Sequence, residues 1–154
     1  MVVIAAPHTS NWDFPVFMAA VGYLRLNVSF LGKHSLFSGP IGWLFYWLGG
    51  IPVDRDANTA KDIVGQAVAA FDERDELVLG IAPEGTRSKV TKWKTGFYRI
   101  ALGAGVPILT AYVDSRTKEI GFGEPFEPTG DMEADIAALQ AFYTDKQGIN
   151  PTNQ

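Results

Sequence analysis

The chain has 154 residues, of which 47% are hydrophobic and 19% charged, so it is long enough to bury the core of one globular domain. It contains no cysteine and two histidines, which excludes disulfides and thiol nucleophiles and argues against a bound metal. The net charge of −4 argues against a nucleic-acid partner. No run of about 18 apolar residues occurs, so we expect no membrane-spanning helix.

The first half of the chain predicts two strands, a helix and an aromatic segment. A continuous apolar run is typical of a strand buried on both faces, and a serine or threonine commonly caps the helix that follows. We therefore expect a strand at residues 2–6, a helix at about 11–24 capped by Thr9 or Ser10, a strand at 28–31, an aromatic segment at 36–48 and an extended piece at 51–54. The aromatic segment fits core packing and docking at a lipid interface equally well.

The second half continues the alternation of helices and strands. It predicts an amphipathic helix at 59–72, a buried strand at 77–81, a helix at 96–103, strands at 106–113 and 119–122, and a helix at 131–143. This order indicates an α/β fold, a layered domain with a central, mostly parallel sheet flanked by helices. We expect residues 1–154 to form a single domain.

The first motif, residues 8–13, combines a histidine with an aspartate five positions later. Asp13 could accept a hydrogen bond from one imidazole nitrogen of His8, which leaves the other nitrogen as a base facing a substrate hydroxyl. A turn between strand and helix would bring the two side chains together. The same residues also fit a capping histidine and an ordinary aspartate in a helical turn.

The second motif, residues 83–88, places an arginine on a glycine turn. Gly85 permits a positive φ and a close backbone approach to a ligand, and Arg87 can grip a phosphate with two parallel hydrogen bonds. A tight turn with a surface arginine is the alternative. Five basic residues without an acid follow between positions 87 and 99, which indicates either an anion site or a solvated basic face.

Both motifs directly follow predicted strands. Ligands gather beyond the carboxyl ends of parallel strands, so His8 and the turn at 84–87 are expected at one edge of the sheet. A base beside a phosphate grip indicates an enzyme that activates a hydroxyl on a phosphorylated substrate. The chain has no Gly-x-Ser-x-Gly elbow, no P-loop and no Gly-x-Gly-x-x-Gly fingerprint, which argues against those chemistries.

Four ordered blocks resemble the glycerolipid acyltransferases, the family of glycerol-3-phosphate and lysophosphatidate acyltransferases. They are the His-x4-Asp block at 8–13, a block from Gly32-Lys33 to Asp54-Arg55, the Pro-Glu-Gly-Thr-Arg-Ser block at 83–88, and Val106-Pro107-Ile108. The resemblance spans roughly residues 2–113. It implies transfer of a fatty acyl group from acyl-coenzyme A or acyl-carrier protein to a hydroxyl of a glycerol-phosphate or lysophospholipid acceptor, without a covalent acyl-enzyme or a cofactor.

The resemblance also implies roles for individual residues. His8 is the expected catalytic base and Asp13 its orienting partner. The acceptor phosphate is expected to bind Arg87 with Arg55 and Lys33 as helpers, at a site that Glu84, Gly85 and Thr86 shape. The family usually has residues before the first block, and we expect this chain to lack that segment.

The implied location is the cytoplasm, peripheral at the inner face of the cytoplasmic membrane. Two alternatives remain open at this point: a thioesterase-like hydrolase in which His8 activates water, and a non-catalytic module that binds lipid or acyl carrier. Which acceptor and which of the two donors are used also stays open.

Overall fold

The computed structural model describes residues 1–54 and 60–153. The first part contains β1 (Val2–Ala6), α1 (Asp13–Tyr23), β2 (Val28–Lys33), α2 (His34–Phe37), α3 (Gly42–Trp47) and β3 (Gly50–Val53). The second contains α4 (Ala60–Asp72), β4 (Val78–Ile81), α5 (Gly96–Ala104), β5 (Ile108–Asp114), β6 (Glu119–Phe122), α6 (Met132–Ala141) and a short 3₁₀ helix, Pro151–Asn153. No helix in these two ranges is long and apolar enough to cross a membrane.

The six strands form one sheet in the order β3-β2-β4-β1-β5-β6. The first five of these are parallel, and β6 runs antiparallel beside β5. The predicted α/β fold with a mostly parallel sheet is confirmed. Because β1 and β4 are parallel neighbours, the segments that follow them emerge at the same edge of the sheet.

One face of the sheet, which we call the closed face, carries the core. Val2 pairs with Leu79 and with Ile108, so the three side chains point to the same side, and all three are fully buried. Apolar residues of α4, α5 and α6 complete this core: Ala67, Ala70, Phe97, Tyr98, Ile100, Ala101 and Leu139. Just beyond α6, the buried hydroxyl of Tyr143 donates a hydrogen bond to the Ile4 carbonyl of β1 (2.8 Å).

The opposite face, which we call the open face, carries α1, α2 and α3. The ring of Phe14 on α1 meets Phe30 of β2 edge to face at 5.4 Å, and Phe17 packs against Gly80 of β4. Phe37 of α2 packs on Gly32 and Gly50, which share this face. The part of the open face formed by β1, β5 and β6 is the floor of a cavity, lined by Val3, Ala5, Leu109, Ala111, Val113, Ile120 and Phe122.

The predicted cap of the first helix is wrong. The helix begins at Asp13, two residues later than expected, and Trp12 at the N-cap position makes no side-chain capping bond. The hydroxyl of Thr9 accepts a hydrogen bond from Asn150, and the hydroxyl of Ser10 accepts one from the Trp12 N–H. The hydroxyls of the two candidate caps therefore bind these partners and do not cap the helix as predicted.

The aromatic segment is partly buried and partly exposed. Phe37 is buried, as core packing requires, and stacks against Phe45 and Tyr46. Trp43 and Trp47 are 69% and 76% exposed. Their exposure leaves an apolar surface on α3 for which packing within the described residues does not account.

Candidate active site

His8 and Asp13 form a direct contact at the carboxyl end of β1. The Nδ1 atom of His8 lies 3.0 Å from Oδ2 of Asp13, and both side chains are mostly buried. This contact selects the tautomer that carries its proton on Nδ1, which leaves the lone pair of Nε2 available as a base. Both residues line the same cavity, so the imidazole borders the space where a substrate can bind.

The loop between β1 and α1 holds the Asp13 carboxylate in place. Its Oδ2 atom accepts hydrogen bonds from the backbone N–H groups of Thr9 (2.6 Å) and Ser10 (2.7 Å). Two N–H donors stabilise the charge of a carboxylate and fix its direction. The strand-to-helix turn predicted from the sequence is what brings these donors, the carboxylate and the imidazole together.

Glu84, which follows β4, supports His8 from the neighbouring strand. Its Oε2 atom accepts a hydrogen bond from the His8 backbone N–H at 2.8 Å. Burial raises the pKa of Glu84 to about 7, an effect that the His8 N–H opposes and the nearby charge of Asp13 increases. The carboxyl of Glu84 thus shapes the site by holding the His8 backbone across the boundary between β1 and β4.

The turn after β4 gathers positive charge beside this pair. Gly85 has a φ of +63°, and the Lys94 side chain runs so close that a Cβ at Gly85 would lie 2.7 Å from its Cδ. The positive φ favours glycine, and the end of the flexible Lys94 side chain occupies the space beside it. Arg87 donates a hydrogen bond to Asn11 Oδ1 in the loop after β1. Arg87 and Lys94 both line the cavity that His8 and Asp13 line.

The remaining predicted site residues differ in whether they line this cavity. Thr86 lines the cavity, and its hydroxyl accepts a hydrogen bond from the Ser88 N–H. Lys33 ends β2 at the same edge of the sheet, with an exposed side chain that is not among the described residues lining the cavity. Arg55 lies outside the described residues.

Sequence reasoning missed several residues that complete the site. Asn11 marks the predicted start of the first helix, and no sequence signal indicates that its side chain binds Arg87. Lys94 was noted as a member of the basic run, but its contact with Gly85 depends on the fold of the turn. The contacts of Thr9 with residues 150 and 153 join parts of the chain about 140 positions apart and carry no local signal.

A large cavity connects the motifs with the open face. Its volume is about 1460 Å³, and its lining includes residues from both faces at the carboxyl edge of the sheet. Ligand pockets usually measure about 300–1,000 Å³, so this space is large enough for an extended molecule. On the open face its walls are apolar, formed by α1 on one side and by β1, β5 and β6 below.

Comparison with known proteins agrees with this geometry. The acyltransferase family model matches residues 1–114. The 1-acyl-sn-glycerol-3-phosphate acyltransferase of Escherichia coli (strain K12) is 31% identical over 123 residues, which cover 77% of this chain and 49% of the relative. The enzyme of the same name from Haemophilus influenzae is 28% identical over an aligned length of 156 residues, and the alignment covers 90% of this chain and 63% of the relative.

The chain thus spans about half to three fifths of the length of these two relatives. No solved structure matches it significantly. The family match covers both motifs and five of the six strands, and the names of the relatives agree with the four sequence blocks. The chain belongs to the acyltransferase family.

Proposed function

We propose that the protein transfers a fatty acyl group from a thioester donor, acyl-coenzyme A or acyl-carrier protein, to a hydroxyl of a glycerol-phosphate or lysophospholipid acceptor. The observation that carries the proposal is the 3.0 Å contact between His8 and Asp13 on a cavity that Arg87 and Lys94 also line. The names of the relatives, which are acyltransferases for 1-acyl-sn-glycerol-3-phosphate, support a glycerolipid acceptor.

The reaction needs one base and no covalent intermediate on the protein. Nε2 of His8 takes the proton of the acceptor hydroxyl, whose oxygen forms a bond to the thioester carbonyl carbon. The tetrahedral intermediate then breaks its carbon–sulfur bond, and the imidazolium returns the proton to the leaving thiolate. Asp13 stabilises the imidazolium. A general base contributes roughly 10²–10⁴ in rate, and alignment of two bound substrates about 7–11 kcal/mol, so positioning is the larger effect.

The acceptor phosphate is assigned to the turn after β4. Arg87 offers two parallel N–H donors, and Asn11 holds its guanidinium on the side of the first motif. Three further groups complete the proposed anion site: the backbone at Gly85, the hydroxyl of Thr86 and the ammonium of Lys94, whose side chain runs beside Gly85. Lys33 and Arg55 are proposed as more distant helpers in the second block.

The acyl chain is assigned to the apolar cavity over the open face. Val3, Leu109 and Val113 form its floor, and Phe17 of α1 forms a wall. Burial of a fatty acyl chain against this surface stabilises the bound donor by about 0.8 kcal/mol of transfer free energy per CH₂ group. The polar end of the cavity, beside His8 and Arg87, holds the acceptor hydroxyl and the thioester, and the apolar part holds the fatty acyl chain.

The experiment is thiol release from palmitoyl-coenzyme A and palmitoyl-carrier protein, measured without acceptor, with glycerol 3-phosphate and with lysophosphatidate. Release that requires an acceptor is expected in the natural chain. His8→Ala should lower the rate at least 10²-fold, since it removes the base. His34→Ala is the matched control, because His34 is the other histidine and lies on α2. Arg87→Ala should raise the acceptor KM with a smaller effect on kcat.

Release of thiol without an acceptor would contradict the transferase and identify a hydrolase. Binding of both substrates without turnover would identify a non-catalytic module. Full activity of His8→Ala would remove His8 from the mechanism. Each of these three outcomes overturns a different part of the proposal.

We further propose that α1 and α3 face an anionic membrane surface, which places the protein at the inner face of the cytoplasmic membrane, where a lipid acceptor resides. None of the 17 acidic residues lies between positions 14 and 53, while Arg25 and Lys33 do. Tyr23, Trp43 and Trp47 in the same stretch are highly exposed. Tryptophan and tyrosine favour the membrane interface, and basic residues are attracted to anionic lipids. Sedimentation with phosphatidylglycerol vesicles tests this, and equal binding to uncharged vesicles would exclude the charge component.

A further inference from the structure

Thr9, the residue after the proposed base, is held by the far end of the chain. Its side chain is buried, with 2% of the residue exposed. The hydroxyl accepts a hydrogen bond from the Asn150 backbone N–H at 3.0 Å, and the carbonyl accepts one from Nδ2 of Asn153 at 3.0 Å. The backbone of Gly148 lies against the methyl group, so close that a Cβ there would be 2.6 Å from Thr9 Cγ2.

The segment that makes these contacts, residues 147–153, is here called the C-terminal strap. Its other end is fixed just beyond β5: the Ser115 N–H donates to the Gln147 carbonyl at 2.8 Å, and the Ser115 hydroxyl donates to the Gly148 carbonyl at 2.7 Å. The strap therefore connects the end of β5 with the loop between β1 and α1. It lies outside residues 1–114, which match the family model.

All three polar groups of Thr9 are used in one chain of contacts. Its N–H donates to Oδ2 of Asp13, the atom that contacts the imidazole of His8. Its hydroxyl and carbonyl both bind the strap. A displacement of the Thr9 peptide therefore moves a hydrogen-bond donor of Asp13. Because a misplacement of 1 Å can cost about 10²-fold in rate, the strap can influence the reaction without touching a substrate.

We infer that the C-terminal strap is a positioning element of the active site, in which Asn150 and Asn153 act through Thr9 to hold the Asp13 carboxylate against His8. The inference rests on the proposed function, because it gives the strap a catalytic consequence only if His8 is the base. It adds two positioning residues that lie 141 and 144 positions from Thr9 along the chain.

The first test is steady-state kinetics of Asn153→Ala and Thr9→Val, two changes that each remove one strap contact. Both should lower kcat about tenfold, with the KM of donor and acceptor changed less than twofold. Thr9→Ser keeps the hydroxyl acceptor and should retain most of kcat. Thr144→Ala is the matched control, an exposed threonine just after α6 whose hydroxyl donates to the Ala141 carbonyl of its own helix, and it should leave kcat unchanged.

The second test measures the His8–Asp13 contact itself, independently of turnover. The proton on Nδ1 of His8 is observed by NMR with ¹⁵N-labelled imidazoles, and its signal is assigned by its loss in His8→Ala. In Asn153→Ala this proton should exchange with water at least fivefold faster, while the signals of His34 stay unchanged. A residue that only stabilised the fold would lower Tm without changing this exchange in the folded protein.

Unchanged kcat in both strap variants, or lowered kcat with an unchanged Nδ1 proton, would overturn the inference. If the natural chain shows no turnover, the proposed function fails. The NMR test then still decides whether the strap holds the pair, so the two failures are distinguishable.

Discussion

The two faces of the sheet are built from similar apolar residues but end in different states. On the closed face Val2, Leu79 and Ile108 are fully buried under three helices. On the open face Ile120 and Phe122 of β6 remain more than 40% exposed, and a cavity lies beside α1. Large exposed apolar surfaces commonly mark contacts with a ligand, a membrane or another protein. The closed face therefore secures the fold, and the open face is available for binding.

The polar residues of the candidate site lie at the edge where the two faces meet. His8 follows the buried strand β1, and Glu84 follows its neighbour β4, so the core positions both backbones. The cavity of the open face reaches the same residues. This arrangement gives the proposed base a rigid support on one side and substrate access on the other.

The largest expected effect contrasts one leucine from each face. Leu79→Ala should lower the free energy of unfolding by about 2–5 kcal/mol, because it leaves a cavity in the closed core. Leu109→Ala on the open face should cost less than about 1 kcal/mol, because its side chain already borders a cavity. The second variant should instead raise KM for long acyl donors. Urea denaturation measures the first quantity, and kinetics with donors of several lengths the second.

Equal destabilisation by the two leucine variants would contradict the division into a closed and an open face. An unchanged donor KM in Leu109→Ala would remove this residue from the acyl site.

The next prediction concerns Glu84, which lies where the two faces meet, and the dependence of the free energy of unfolding on pH. The pKa of Glu84 is raised from 4.5 to about 7, so the stability that its protonated form contributes is present below pH 4.5 and is lost as pH rises through 7. Discounted for solvent screening, the loss is about 1–3 kcal/mol. Glu84→Gln keeps an acceptor for the His8 N–H and should abolish this part of the pH dependence.

Urea denaturation at intervals between pH 4 and 8 gives the comparison for Glu84. Parallel curves for the natural chain and the glutamine variant would show that burial of this carboxyl has no energetic consequence.

The smallest expected effect concerns vesicle binding, and it compares an exposed apolar residue on the open face with one on the closed face. Trp47→Ser should weaken binding to phosphatidylglycerol vesicles about tenfold, or 1.4 kcal/mol, because it removes an exposed ring from the proposed membrane surface. Leu102→Ser is the control, an exposed apolar residue on α5, which packs on the closed face, and it should leave vesicle binding unchanged. Sedimentation with vesicles measures both variants.

Equal weakening by the two serine variants would contradict a membrane surface confined to the open face. Self-association that Trp47→Ser abolishes would assign the exposed rings to contact with a second copy of the chain.

The elements that the sequence predicted are those with strong local patterns. The runs at Val2–Ala6 and Val78–Ile81 are continuously apolar, which is typical of strands in a parallel sheet, and parallel pairing follows from the helices between the strands. The meeting of His8 with the turn at 84–87 follows from the same topology. The parts that it could not predict depend on distant contacts. The position of β4 between β1 and β2, the contact of Asn11 with Arg87, and the strap all join residues whose neighbours in sequence carry no matching signal.

The role of the aromatic segment was ambiguous for a related reason. Phe37 and Trp47 are both large and apolar, and composition alone does not separate a buried ring from an exposed one. Gly32 and Gly50 explain why Phe37 is the buried ring. Because these glycines have no side chain, they leave room for one ring on the sheet.

The hydrogen bond from Tyr143 to the Ile4 carbonyl has a practical consequence for anyone who expresses part of this protein. The match to the family model ends at residue 114, yet the phenol that bridges to β1 lies 29 positions further on. A fragment cut at that boundary would lose α6, Phe142 and Tyr143, uncover the ring of Trp93 that Tyr143 meets edge to face, and leave a strand carbonyl facing an apolar gap. We expect such a fragment to aggregate, so an expression boundary belongs beyond Asn153.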